Sequence, residues 1–538
     1  MNWQTSEQLH KLICQLVSWE SETCSVGEQQ FPLKLEKELQ RLRYFEKYPE
    51  YLELVQVDKE RRLMSAFYKH SDAAKTVVLI SHFDTVSTEE YGALQPFATN
   101  PVQLTEKFRQ QPHLLNESAQ KDLFSGDYLF GRGVMDMKMG LALHMHLLEK
   151  ASEEEWPINL LLIAVPDEEV NSAGMRVAVE HIAQLKEKEQ LEIALHLNSE
   201  PSFSQDPTDL NEYFYTGTIG KIMPAALFYG KETHVGEPLK GMTASFLNSY
   251  LTAEMEWNEA FLEEAEGEYT PLPVALEQKD LKLLYSTQTP YRAFALYNVF
   301  LMRRSAEEIF TIFRQVAEQA MAKCQARYEA VCAQQHVTPI GKINVLSYEE
   351  VYAYSVKKHT QTVVNDIIEK VMNNDALDDR KKSITIADQL MIHNQELAPA
   401  AVLLFAPPFY PPASSKGEAL IEELSTLLLE QAQALDIPLS QKHYFNGICD
   451  LSYCQNLSNN GWHAYEANTP VWQRSYTIPF EAMEAISAPV MNIGPFGKDA
   501  HQISERLHLK SALEEMPNIL TMVIKKVTAR VSSFDLNV

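Results

Sequence analysis

Residues 77–86 read VVLISHFDTV, and this stretch decides the fold. Val77–Ile80 is an uninterrupted apolar run without the polar alternation of a half-buried strand, so it reads as a strand covered on both faces. Such a strand belongs inside a sheet with helices on either side. Just beyond it stand His82 and Asp84, two residues apart, whose side chains project to one side in extended backbone. Imidazole is the commonest metal ligand, and a carboxylate at that spacing can fix the ring's orientation.

Outward from this strand the pattern recurs. Leu160–Val165, Ile193–Leu197, Ala401–Phe405 and Val490–Ile493 are short apolar runs separated by segments of helical spacing. The alternation predicts an α/β catalytic domain whose mixed, mostly parallel sheet is flanked by helices. At the start of the chain, Leu9, Leu12, Ile13, Leu16 and Val17 mark an amphipathic helix. From about Thr218 the character changes. Gly217 and Gly220 lead into the alternating IMPAALFYG (222–230). A helical stretch, the strand-like RAFALYNVFLMRR (292–304) and a long helical pattern over Ala306–Gln335 follow. This block reads as an inserted α+β domain over residues 217–340, which splits the catalytic domain into 1–216 and 341–538. FAPPFYPPASS (405–415) reads as a stiff loop after a strand, and Val356–Glu396 as helical and polar without an assigned role.

Chemistry-bearing residues gather where these runs end. YLFGRGVMDMKMG (128–140) sets Asp136 after two glycines and before a helical pattern; NLLLIAVPDEEVNSAG (159–174) crowds Asp167, Glu168 and Glu169 together. IALHLNSEPS (193–202) carries Glu200, and VMNIGPFGKDAHQISE (490–505) carries His501. Each has an ordinary explanation alone: Asp136 as a helix cap, residues 167–169 as a solvated acidic loop, Glu200 as a loop residue, His501 as a packed or exposed histidine. Their shared placement argues otherwise, because ligands of open α/β sheets bind beyond the carboxyl ends of the strands. His82, Asp136, Glu169, Glu200 and His501 form a mixed nitrogen and oxygen set. It suits two divalent metal ions, zinc with cobalt or manganese as alternatives, better than a thiolate site would. Asp136 can offer one oxygen to each ion. Adjacent glutamates point apart in extended backbone, so one can bind metal while the other faces a water as general base.

Composition narrows the setting. The chain of 538 residues is 45% apolar and 22% charged, the profile of a globular protein of two or three domains. Its net charge of -26 repels phosphates and excludes a nucleic-acid partner from the expectation. The six cysteines show no CxxC spacing, no leader-like start is present, and no apolar stretch is long enough to span a bilayer. A cytoplasmic protein with no membrane partner is expected.

In this order, the five segments resemble the metallopeptidase and amidohydrolase family of carboxypeptidase G, aminoacylase and acetylornithine deacetylase. SHFDTV is similar to the family's H-x-D, GRGVMDMKMG to its G-R-G-x-x-D-M-K-G-G, and PDEEVNSAG to its D-E-E-x-x-S-x-G. SEPS and GPFGKDAHQISE resemble its remaining two motifs. The resemblance implies that His82, Asp136 and Glu200 hold one metal and Asp136, Glu169 and His501 the other. It implies Glu168 as the general base, Asp84 as the residue orienting His82, and a cis Asp136–Met137 peptide. It also implies that the inserted domain is a lid through which two copies pair. In KETHVGEPLKGMTA (231–244) His234 would reach the partner's site, and in NVFLMRRSAEE (298–308) Arg303 would grip a substrate carboxylate, although Leu301 replaces the family's Asp there.

The expected reaction is hydrolysis of an amide bond in a small molecule, an N-acyl amino acid or short peptide. Chain length and FAPPFYPP resemble an arginine-utilisation branch, which points to arginine-related substrates. Two other readings stay open: a ureido or amidino C–N hydrolase, and a binding or regulatory protein on the same fold. Thr99–Phe124, which lengthens the loop before Asp136, and Val356–Glu396 depart from the family pattern. His144 and His146, on the helical pattern after Asp136, read as packed or solvated residues. His443 lies near FNGICDLS (445–452), which resembles a second glycine–aspartate segment of the family.

Overall fold

In the computed structural model the 77–86 stretch completes an internal strand. β1 (Leu52–Gln56), β2 (Arg62–Tyr68), β3 (Lys75–His82), β4 (Asn159–Val165), β5 (Glu192–Asn198) and β6 (Glu212–Tyr215) join strands Val490–Asn492 and Leu439–Lys442 in one eight-stranded sheet. Its order is β1, β2, β4, β3, β5, Val490–Asn492, β6, Leu439–Lys442. β3 runs parallel to β4 and β5, and β5 runs parallel to Val490–Asn492. β1, β2 and the β6 edge add antiparallel pairs. Thr76–His82 and all of β4 are buried, as a strand covered on both faces requires. The structure describes residues 1–203, 209, 211–455 and 461–534.

The chain divides into two units: Met1–Thr218 with Ala413–Leu457 and Pro479–Val538, and Ile219–Pro412 with Ser458–Ile478. In the first unit the N-terminal helix Ser6–Ser18 buries Leu9, Leu12, Ile13, Leu16 and Val17 and starts on a Thr5 capping box. Helix α1 (Lys138–Glu153) is buried along nearly all of its length. It approaches the sheet so closely that a Cβ on Gly140 would lie 2.4 Å from the Ser199 carbonyl oxygen. The lengthened segment before Asp136 is ordered as two helices, Pro101–Gln110 and Glu117–Ser125. It has its own apolar cluster of Tyr91, Leu94, Leu104, Phe108, Leu123 and Phe130.

The second unit centres on β7 (Gly220–Ile222), β8 (Pro224–Tyr229), β9 (Val274–Asp280), β10 (Arg292–Leu301), α2 (Ala306–Gln334), β11 (Asn344–Ser347) and β12 (Ala400–Phe405). β7, β8 and β9 run antiparallel to β10. The sequence reading ends this domain at residue 340 and gives Ala401–Phe405 to the first sheet. In the structure β12 instead pairs with β8, from Pro224↔Phe405 to Tyr229↔Ala400, and the unit runs on to Pro412. The reason is topological. β11 and β12 are parallel, and parallel neighbours need a long crossover connection. Helices Tyr348–His359, Gln361–Met372 and Asp379–His393 supply it, which gives the polar helical region 356–396 its place in the fold. No helix among the described residues is long and apolar enough to cross a membrane.

Candidate metal centre

Parallel neighbours end at the same rim, and this brings the sequence-predicted residues together in the first unit. His82 closes β3, Glu168 and Glu169 follow β4, Glu200 follows β5, and Asp136 precedes α1. His82 Nε2 lies 3.1 Å from Asp136 Oδ1, 3.4 Å from Glu200 Oε1 and 3.9 Å from Glu168 Oε2. His501 Nε2 lies 3.1 Å from Asp136 Oδ2 and 3.2 Å from Glu169 Oε1. Asp136 therefore turns one oxygen to each imidazole. Two ligand-capable groups result, His82–Asp136–Glu200 and Asp136–Glu169–His501, each with its donor atoms within 4.8 Å of one another. The Asp136–Met137 peptide is cis, as the resemblance implied.

The loops carrying these residues are pinned from behind. Asp84 is fully buried; its carboxylate accepts from Glu168 N at 3.1 Å, from Glu169 N at 3.3 Å and from the Thr23 hydroxyl at 2.8 Å. His82 Nδ1 bonds instead to the main-chain oxygen of Asp84 at 3.0 Å, with the carboxylate 3.5 Å away. Asp84 thus orients the ring through its backbone and the two-glutamate turn through its side chain. Arg61, from the β1–β2 hairpin, holds Asp167 Oδ1 at 2.6 Å. Buried Glu505 accepts from Gly133 N at 2.7 Å and from the Arg132 guanidinium at 2.6 Å, which fixes the glycine loop that presents Asp136. Arg506, also buried, bonds Asp122 at 2.7 Å and Asp499 at 2.5 Å. It thereby ties the His501 loop to helix Glu117–Ser125, so the insertion before Asp136 braces one end of the centre.

Five carboxylates crowd this rim, and their acidities record it. Burial, reinforced by neighbouring carboxylates and opposed by His82, drives Glu168 and Glu200 well above the usual carboxylate range; burial and Asp136 raise Glu169. Burial pushes Asp450 up to about 7. Burial would depress His82, but Glu200, Asp136 and Asp84 outweigh it and hold the ring well above its ordinary value. Hydrogen bonds to Asp136 and Glu169 lift His501 to about 11. Asp136, between the two rings, is held low despite its burial. Close carboxylates take up protons in this way when no cation relieves them. Two imidazoles with an excess of carboxylate oxygens are the donor set that hard or borderline divalent cations fit.

The remaining predicted residues lie in the second unit. His234 is exposed, its Nδ1 accepts from Gly236 N at 3.0 Å, and it bridges to Gln288. Arg303 pairs with Glu266 at 2.5 Å, and its backbone N–H bonds Glu263 at 2.9 Å. The sequence reading passed over Glu505, Arg132, Arg506, Asp122 and Arg61. Asp450, inside the flagged FNGICDLS segment, accepts from the Ser172 hydroxyl at 2.9 Å, and its acidity responds to both His82 and Asp84.

Comparison with known proteins follows the same line. The sequence profile of Peptidase family M20/M25/M40 matches residues 78–423. The uncharacterized protein YqjN of Bacillus subtilis (strain 168) is 39% identical over 534 residues, 97% of this chain and 97% of its own length. Protein RocB of the same organism is 27% identical over 539 residues, 96% of this chain and 94% of its own. Among solved structures, the M20 family metallo-carboxypeptidase Sso-CP2 from Sulfolobus solfataricus shares the fold. The TM-score is 0.55 at 10% identity, over 97% of this chain and 99% of that one.

The raised acidities set a sign for pH. Asp450, raised from 3.8 to about 7, favours the folded state when protonated and loses that contribution as pH climbs through this window. His501, raised from 6.5 to about 11, stabilises fully below 6.5 and loses its contribution as pH rises through 11. Chelator-treated protein should therefore melt lower at pH 8 than at pH 6. Added zinc, which competes with the proton on His501, should raise the melting temperature more at pH 8. Equal zinc effects at the two pH values, measured by thermal scans, would contradict this electrostatic reading.

Proposed function

This chain belongs to Peptidase family M20/M25/M40, and we propose that it is a two-cation hydrolase of an amide bond in an N-acyl amino acid or short peptide. Its class is that of the M20 metallopeptidase-type hydrolases. One observation carries the finer proposal: Asp136 faces His82 with one oxygen and His501 with the other, both at 3.1 Å, beside the half-buried Glu168, which is not needed as a ligand. His82, Asp136 and Glu200 would hold one cation, and Asp136, Glu169 and His501 the other, with zinc favoured over cobalt or manganese. When bound, the cations polarise a carbonyl and make a water more acidic.

The chain's own part is proton traffic and positioning. Glu168 is the general base, with its backbone anchored on Asp84. Its raised affinity for protons suits a group that accepts a proton and returns it. It takes a proton from the attacking water as the C–O bond forms, then delivers that proton to the nitrogen as the C–N bond breaks. The likeness to RocB and the proline-rich segment 405–415 favour arginine- and ornithine-derived amides as first substrates. The Arg303 guanidinium is the proposed partner of a substrate carboxylate. A hydrolysis screen with zinc, cobalt or manganese, spanning dipeptides, acyl amino acids and ureido acids, should find amide cleavage. Glu168→Gln should lower kcat by about 100-fold or more while metal content stays unchanged. Full activity in the Glu168→Gln variant would remove Glu168 from this role.

We extend the proposal to a homodimer through the second unit, in which His234 serves the partner's site. Leu283, Leu284 and Tyr285 are 95%, 82% and 94% exposed. Val235, next to His234, donates to Thr287 O at 2.9 Å in the same loop pair. Large apolar residues exposed together mark interaction surfaces. Light scattering should give the mass of two chains, and Leu283→Glu with Leu284→Glu should halve it. A one-chain mass for the wild type would remove both the dimer and the role of His234.

A further inference from the structure

Directly beneath the His82–Asp136–Glu200 group, on the helix side of the sheet, lies a polar contact that the proposed chemistry does not use. β3 and β5 pair in parallel with Ile80 opposite Asn198, which brings Ser81, the last residue but one of β3, beside Ser199, the first residue beyond β5. Each immediately precedes a proposed ligand, His82 and Glu200. Between the two serines sits His144 of α1. Its Nδ1 is 2.7 Å from Ser81 Oγ and its Nε2 is 2.9 Å from Ser199 Oγ, and all three residues are completely buried.

We propose that His144 is a positioning residue: by bridging Ser81 and Ser199 it sets the spacing of His82 and Glu200 at the first cation group. The inference rests on reading those two residues as ligands. Side chains alternate along β3, so Ser81 drawn toward the helix directs His82 to the opposite face, while Ser199 fixes the start of the turn that carries Glu200. His82 and Glu200 then meet there at 3.4 Å. The helix carrying the bridge has a fixed height. Gly140, one turn earlier, lies so close to the Ser199 carbonyl that only glycine fits, and His82 N contacts Met137 Sδ at 3.3 Å at the helix start.

Burial alone holds the His144 ring down to about 3, so it stays neutral, with one nitrogen donating and the other accepting. Each serine hydroxyl rotates to supply the complementary role. The bridge therefore keeps one protonation state at neutral pH. Loss of a group that holds metal ligands in place typically lowers metal affinity by about 10–100-fold. A histidine that served packing alone would lower stability without touching one cation more than the other.

The test strips full-length protein with a chelator and titrates it with zinc against a chromophoric competitor, with zinc per chain counted by elemental analysis. Wild type should bind two ions. His144→Leu should keep one with unchanged affinity and bind the other about 10–100-fold more weakly. Ser81→Ala with Ser199→Ala, which removes only two oxygens and carries the test if His144→Leu does not fold, should do the same. His144→Gln, whose amide both donates and accepts, should recover most of the lost affinity. Two ions bound with wild-type affinity in the serine double variant, or equal weakening of both ions, overturns the inference. A wild type that binds no zinc overturns the ligand assignment itself, and the inference with it.

Discussion

Five carboxylates held at one rim of a mixed sheet, where its parallel strands end, are the constraint on which the rest of this structure depends. Removing even one such group from water costs several kcal/mol unless it is paired. Mutual repulsion adds to that cost, and raised proton affinities at Glu168, Glu169, Glu200 and Asp450 are its trace. Two imidazoles cannot balance the set alone. A scaffold that keeps these groups converged must be stiff, and here it is stiff in a particular way. β3, β4 and β5 end together, buried on both faces, so their last residues cannot relax apart.

The cationic side chains around the centre serve that geometry indirectly. Arg132, Arg506 and Arg61 direct their donors to Glu505, to Asp122 and Asp499, and to Asp167. Charged hydrogen bonds of this kind fix loops strongly. They anchor the glycine loop before Asp136, the His501 loop and the turn that starts at Asp167. Helix Glu117–Ser125, which resembles an embellishment when read as a lengthened loop, becomes a brace through Asp122.

Much of this was legible in the sequence, and the boundary of legibility has physical causes. The apolar runs at 77–80, 160–165 and 193–197 fall within strands of one sheet, and 490–493 covers a fourth strand, Val490–Asn492, because burial on both faces leaves a composition that reads directly. Which sheet a buried run joins is decided by pairing partners far away, so Ala401–Phe405 looked like its neighbours and pairs with Pro224–Tyr229 instead. His82, Asp136, Glu168, Glu169, Glu200 and His501 were visible because strand ends and motif spacing mark them. Arg506 and Asp122 are 384 residues apart, and nothing local in either segment signals the pair. His144 sits on a helix buried along nearly all of its length, where a histidine gives no sign of whether it packs or bridges. Asp84 was legible in position, while its larger task, holding the N–H groups of Glu168 and Glu169, appears only once β3 and β4 lie side by side.

The central claim is that Asp136 is shared between two cation groups, one built on His82 and one on His501. It is tested most directly by calorimetric zinc titration of chelator-stripped protein, with metal per chain counted, in His82→Ala, His501→Ala and Asp136→Asn. The account gives one remaining ion in each histidine variant and weakened binding of both ions in Asp136→Asn. Loss of a single ion in Asp136→Asn, with the other held at wild-type affinity, would contradict it.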